Sequence, residues 1–164
     1  MAAVDWSAVG AVATALTTVL LAVSLVFLWR QVREATKARD VEVMLHLYDR
    51  LIAVRPQKLL IYENENQLLT IKSLGAWDVL RKQNPAIGTA VFDVSMAYHL
   101  FGLFLESGSL SCPDLFLSDI GEIFLRVFRI IGPIVALERD RSGETYRATL
   151  EYLEKRVVDE RKSQ

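Results

Sequence analysis

From Ser7 to Trp29 the chain carries no charge, and Arg30, Arg33, Lys37 and Arg39 then crowd into ten residues. No helix breaker marks the change, because neither glycine nor proline occurs between Ala11 and Arg55. Beyond the uncharged run, Val32, Ala35, Val43, Met44, Leu47, Leu51 and Ile52 keep an apolar stripe at helical spacing. The pattern predicts one helix that runs through both regions to Pro56, on the order of 70 Å long at about 1.5 Å per residue. Charge begins where the surroundings of that helix change from lipid to water, while its backbone continues.

Pro56 ends this helix and opens a second one in "RPQKLLIYEN", with the proline in its first turn. "ENENQ" reads as a polar interruption. "LLTIKSLGAWDVLRKQ" predicts a further helix with Leu68, Ile71, Leu74 or Trp77, and Leu80 on one side, despite Gly75. Asn84-Pro85 is a start signal. The helix from Pro85 to Glu106 is apolar nearly all round, through Val91, Phe92, Val94, Met96, Leu100, Phe101, Leu103, Phe104 and Leu105, which places it at the centre of a bundle. Gly108 is its expected C-terminal cap. Next, Ile120, Ile123, Phe124, Val127, Phe128 and Ile131 define one face of a helix whose other face holds Asp119, Glu122, Arg126 and Arg129. Glu122 and Arg126 stand at the favourable i, i+4 spacing, and Pro133 is expected to kink or divide the helix. Tyr146, Leu150, Leu153 and Val157 mark a last amphipathic helix. No alternating strand pattern occurs, so the fold class is all-α.

Twenty-three uncharged residues span roughly 34 Å as a helix, enough to cross a hydrocarbon core of about 30 Å. Trp6 and Trp29 stand at the two ends, where indoles prefer the headgroup level. A secretory signal peptide fits poorly, since only Asp5 precedes the run where basic residues belong. The cations Arg30, Arg33, Lys37 and Arg39 keep the C-terminal flank cytoplasmic and send the N-terminus outward, for a single pass through the inner (plasma) membrane. They are also placed to meet anionic lipid. Within the span, Gly10, Thr14, Thr18 and Ala22 recur every four residues, flanked by Ser7, Ala11 and Ala15. Such a small-residue stripe lets helix backbones approach closely, which makes a homo-oligomer or another membrane protein the expected partner beside the lipid itself. The organisation is therefore an anchor over 1–29, a juxtamembrane stalk helix over 30–55 and a cytoplasmic helical domain over 56–164.

Total charge changes this picture little. A net charge of −1 provides no global field to hold nucleic acid. The single cysteine, Cys112, excludes an intrachain disulfide and fits a reducing compartment for the C-terminal part.

"AYHLFGLFLESGSLSCPDLF" followed by "IGPIVALERDRSGETYRATLEYLEKR" resembles the C-terminal half of a bacterial family of small membrane-anchored helical proteins of unknown function. The resemblance implies an N-terminal span leading to a helical domain, and it brings no catalytic residue with it. Where the family pattern has a tryptophan early in the penultimate helix, this chain has Ile123-Phe124.

Candidate chemistry is sparse. His46 and His99 are the only histidines, and with one cysteine they are too few for a structural zinc site. Glu42 and His46 are four residues apart, whereas di-iron bundles use Glu-x-x-His. Glu63 and Glu65 lack the spacing and the glycine of a calcium loop. No nucleophile elbow, P-loop or dinucleotide fingerprint is present. Asp93 and His99 lie about 240° apart around a helix and do not face one another. Arg126/Arg129 and Glu138-Arg139-Asp140-Arg141 read as an ion-paired surface. We therefore expect no enzyme, no cofactor and no metal. The expected function is a membrane-anchored helical interaction or assembly module, and the alternative is an oligomerising effector that perturbs the bilayer, of defence or toxin type. Against a wide aqueous pore, the span has no ionisable group to line one.

Overall fold

The computed structural model describes the backbone of residues 6–109 and 113–163, and the side chains of 16–109 and 117–162. Among the described residues every regular element is a helix: α1 (Trp6–Ala53), α2 (Arg55–Glu63), α3 (Glu65–Leu69), α4 (Leu74–Gln83), α5 (Pro85–Glu106), α6 (Pro113–Ser142) and α7 (Thr149–Ser163). The chain divides into two compact units, Met1–Val41 and Glu42–Gln164.

α1 is a single helix of 48 residues, as the lack of breakers requires. In the second unit its last turns bury Leu47 and Leu51, each 5% exposed, with Val43 and Met44 packed beside them. The compact unit thus begins at Glu42, inside the segment read from sequence as stalk. The Tyr48 hydroxyl adds a bond to Asp119 Oδ2 on α6, at 2.8 Å.

The elements after α1 follow local chemistry closely. α2 starts with Pro56 in its first turn. The polar interruption that follows amounts to one residue, Asn64, whose Nδ2 donates to the Leu60 carbonyl at 2.8 Å before α3 begins. The segment "LLTIKSLGAWDVLRKQ" is two helices rather than the one its periodicity predicts. Thr70 Oγ1 turns back to the Gln67 carbonyl, and Ser73, in extended backbone, accepts from Ala76 N at 3.3 Å as the N-cap of α4. Trp77, not Leu74, takes the buried position.

α5 occupies the centre and packs against α2, α4, α6 and α7. Its buried residues include Ile87, Val91, Val94, Tyr98 and Phe101. Burial is not all round, because Phe92, Leu103 and Phe104 reach outward, with Phe92 50% exposed. The end of α5 is a Schellman cap: Gly108, at φ 66°, donates to Leu105 O, and Ser109 donates to Phe104 O, each at 3.2 Å. α6 runs through Pro133 without division. A proline inside a helix costs about 3 kcal/mol, offset here by burial of Ile130, Ile131, Ile134 and Val135 on both sides of it. Ile123, read as core, is 46% exposed, and Ile130 and Ile134 complete the buried face instead.

α5 and α7 meet without room for a methyl group. A Cβ added at Gly102 would lie 2.7 Å from the carbonyl oxygen of Thr149, at the first turn of α7. Gly102→Ala is therefore expected to destabilise the protein by about 1–3 kcal/mol, the usual cost of forced overpacking. Thermal unfolding of the detergent-solubilised chain measures this, and an unchanged midpoint would refute the close contact.

Candidate functional site

The residues assigned to membrane packing divide by position. The side chains of Trp6, Ser7, Gly10, Ala11, Thr14 and Ala15 lie outside the described residues, as does Cys112. Thr18 and Ala22 are exposed, and so are the bulky residues around them: Leu16 is 59% exposed, Leu20 66% and Val23 62%. Ser24 returns its hydroxyl to the Leu20 carbonyl at 2.8 Å, so its polar atom is satisfied within the helix. At the cationic end, Trp29 carries the Arg33 guanidinium 5.6 Å above its ring, and Arg30 pairs with Glu34 at 3.6 Å. Lys37 and Arg39 are exposed further along the helix.

Among the described residues two helices are long and apolar enough to cross a membrane, α1 and α5, and their cover differs. The most apolar 18-residue stretch of α1 within Leu16–Ala53 has none of its residues buried, whereas that of α5 is 56% buried within the protein. Among the described residues α5 has protein cover for about half of its apolar stretch, and the apolar stretch of α1 has none.

Within the second unit, α4, α5, α6 and the turn after α6 border a half-open cavity of about 220 Å³ lined by Trp77, Gly88, Phe92, Val135, Glu138 and Tyr146, among others. Trp77 is 2% exposed and donates its indole N–H to Glu138 Oε1 at 2.7 Å. Arg81 lies across Gly88, where a Cβ would come within 2.6 Å of Arg81 Cγ, and its Nη1 stands 3.6 Å from the same Glu138 oxygen. Asp78 joins the network by accepting from Arg81 and, in a forked pair, from Arg141. The Arg141 hydrogen bond holds the Asp78 carboxyl below the usual range. An open depression of about 330 Å³ adjoins the cavity and shares Arg81, Gly88 and Phe92 with it.

The turn between α6 and α7 supplies the least ordinary residue. Arg147 has φ 54°, a left-handed backbone that side chains other than glycine rarely adopt. It is only 6% exposed. Its guanidinium lies 5.0 Å from the Phe92 ring and 4.8 Å from the Tyr146 ring, stacked on both. Nε makes a long bond to Ser95 Oγ at 3.4 Å, while Nη2 is buried and has no acceptor.

His99 sits beside this group. The Thr149 hydroxyl donates to the His99 carbonyl at 2.9 Å, and it also lies 2.6 Å from Nδ1. A hydroxyl has one proton, so Nδ1–H is the donor in the second bond and the neutral ring keeps its lone pair on Nε2. Burial, reinforced by the charge of Arg147, pushes the His99 pKa below its ordinary value. With the folded-state pKa depressed, the unfolded chain binds the proton first. His99 therefore takes stability away as pH falls below about 6.5, the ordinary histidine value. In His99→Asn, which keeps a donor without titrating, the loss of unfolding free energy between pH 7 and pH 5 is expected to be smaller. His46→Asn, at an exposed position, serves as the control. Identical slopes in all three proteins would remove His99 from the account.

Other residues singled out in the sequence are more dispersed. Glu42 and His46 are both exposed, and Asp93 is half-buried. Glu122 does not pair with Arg126 but with Arg161, at 4.0 Å, while Arg126 stacks on Tyr62 at 4.7 Å. Rotamers that serve these tertiary partners displace the local i, i+4 pair. Glu65 pairs with Arg129 and Arg139 with Glu151. Among the described residues no three His, Cys, Asp or Glu side chains gather as a metal-ligand group. Arg147, Arg81 and the Trp77–Glu138 bond were not marked by any sequence motif. The one local signal is "GETYRAT" after α6, where an arginine follows an aromatic residue in a glycine-led turn.

Comparison of the chain with protein-family models, curated proteins and solved structures finds no match.

Proposed function

We propose that the protein is a single-pass, membrane-anchored helical interaction module. The observation that supports this reading is the uncovered apolar stretch of α1, whose Leu16, Leu20, Val23 and Phe27 are each about 60% exposed or more. Water around such a surface is unfavourable at about 25 cal/mol per Å², and hydrocarbon removes the penalty. The cations that follow set the orientation: N-terminus outside, C-terminal unit in the cytoplasm of a cell whose plasma membrane holds the span. Thr18 and Ala22 continue the small-residue stripe begun by Gly10 and Thr14, which favours self-association or pairing with another span. The C-terminal unit, in this reading, binds rather than catalyses. Its layout also agrees with the membrane-anchored bacterial family that the sequence resembles.

The test is the distribution of full-length protein after alkaline carbonate washing of membranes, combined with protease digestion of sealed vesicles. The protein is expected in the pellet, with a C-terminal epitope cleaved in inverted vesicles and protected in right-side-out ones. Folded, monodisperse protein in a detergent-free supernatant would overturn the proposal.

A further inference from the structure

We infer that two copies of the chain pair in parallel along the cytoplasmic turns of α1, through a seam of Ala38, Val41, Leu45, Tyr48 and Ile52. The inference rests on the membrane reading above, which gives every copy the same direction in one plane.

Spacing is the first argument. The five positions recur at intervals of three, four, three and four residues. That is the repeat by which two helices keep one seam in contact along a left-handed supercoil. The seam is also uncovered among the described residues: Val41 is 57% exposed, Leu45 60% and Ile52 64%, and Ala38 is exposed with them. Bulky aliphatic side chains aligned on one side of a helix in water are unfavourable, and a facing copy of the same seam removes the penalty. Upstream, Gln31 and Glu34 hold the corresponding positions, so the seam starts at Ala38.

Order is the second. The neighbouring side of the last turns is fastened to the core by Leu47 and Leu51, each 5% exposed. The Tyr48 hydroxyl is held at 2.8 Å by Asp119 of α6. The seam is therefore carried on turns that are already fixed, and pairing costs little further conformational entropy.

Charge and tethering identify the occupant as a second copy. Lys37 and Glu42 flank the seam, both exposed and without an ion pair among the described residues. Flanking residues spaced five apart meet between parallel helices, so Lys37 of one copy falls beside Glu42 of the other, twice by symmetry. Anchoring in one membrane excludes the antiparallel alternative. Two heptads are fewer than a free coiled coil needs. Confinement to a membrane raises the effective concentration of one copy at another, and a short seam then suffices.

Cross-linking in membranes tests the pairing. The full-length chain carrying Cys112→Ala receives one new cysteine at an exposed position of α1, where no core contact is lost, and the membranes are oxidised. Val41→Cys, Leu45→Cys and Ile52→Cys are expected to form disulfide-linked dimers, which require Cα atoms within about 7 Å of each other. His46→Cys and Ala53→Cys, exposed on another side of the helix, are expected to stay monomeric. In the Leu45→Cys chain, Lys37→Glu or Glu42→Lys alone is expected to lower the dimer yield about two- to fivefold, the worth of an exposed ion pair. The two reversals together are expected to restore it. Equal yields at Leu45→Cys and His46→Cys, indifference to the charge reversals, or cross-links to a protein of different mass each overturn the proposal. Protein that pellets after carbonate washing yet forms no dimer at these positions refutes the pairing alone, whereas protein that does not pellet refutes the membrane reading as well.

Discussion

Leu16→Arg combined with Leu20→Arg is expected to take the protein off the membrane. The two positions straddle the middle of the uncharged run, where each arginine raises the cost of insertion by about 2.5–3.5 kcal/mol. Together they oppose insertion by about 5–7 kcal/mol, more than snorkelling from mid-span recovers in full. Both side chains are about 60% exposed or more, so no packing within the chain is lost, and arginine forms helix nearly as well as leucine. Any loss of pelleting after carbonate washing therefore reports on lipid, not on folding. Leu16→Ala/Leu20→Ala is the control and is expected to remain in the pellet. Retention of the double-arginine variant would mean that something other than α1 holds the protein there.

Phe124→Ala produces the largest expected loss of folding stability, about 3–5 kcal/mol. Phe124 is 1% exposed and touches Tyr98 at a ring separation of 5.0 Å and Phe128 at 5.3 Å, so its truncation leaves a cavity between α5 and α6. Ile123→Ala, one position away and 46% exposed, is expected to change stability by less than about 1 kcal/mol. Denaturant unfolding of the two variants measures the difference. Equal losses would mean that α6 presents a different face to α5.

This pair of residues also shows what periodicity reads and what it does not. Helical spacing found α6 and most of its buried stripe, because Phe124, Val127 and Ile131 recur at the repeat of a helix. It put Ile123 on the wrong side because the stripe rotates toward Ile130 and Ile134 along a 30-residue helix. Breakers and caps were legible where the chemistry is strictly local: Pro56, Pro85 and Gly108 each do what their backbone dictates. Ser73 escaped notice because apolar spacing runs straight across it, although its hydroxyl on Ala76 N, with the Thr70 turn before it, separates α3 from α4. The candidate site was hardly legible at all. Trp77 and Glu138 are 61 residues apart, and Ser95 and Arg147 are 52 apart. Nothing in a local window records such pairs, and a buried arginine looks in sequence like any surface arginine.

One property of α6 bears on how that cavity behaves. A bend in a helix is normally resisted by amide hydrogen bonds that must stretch on the convex side. At Pro133 there is no amide proton, so the carbonyl of Arg129 has no such bond to lose. Val135, Glu138 and Ser142 all follow this gap and all belong to the cavity wall. They form one panel of the wall, carried on a stretch of helix that lacks one of its amide hydrogen bonds and so resists bending less than an unbroken helix would.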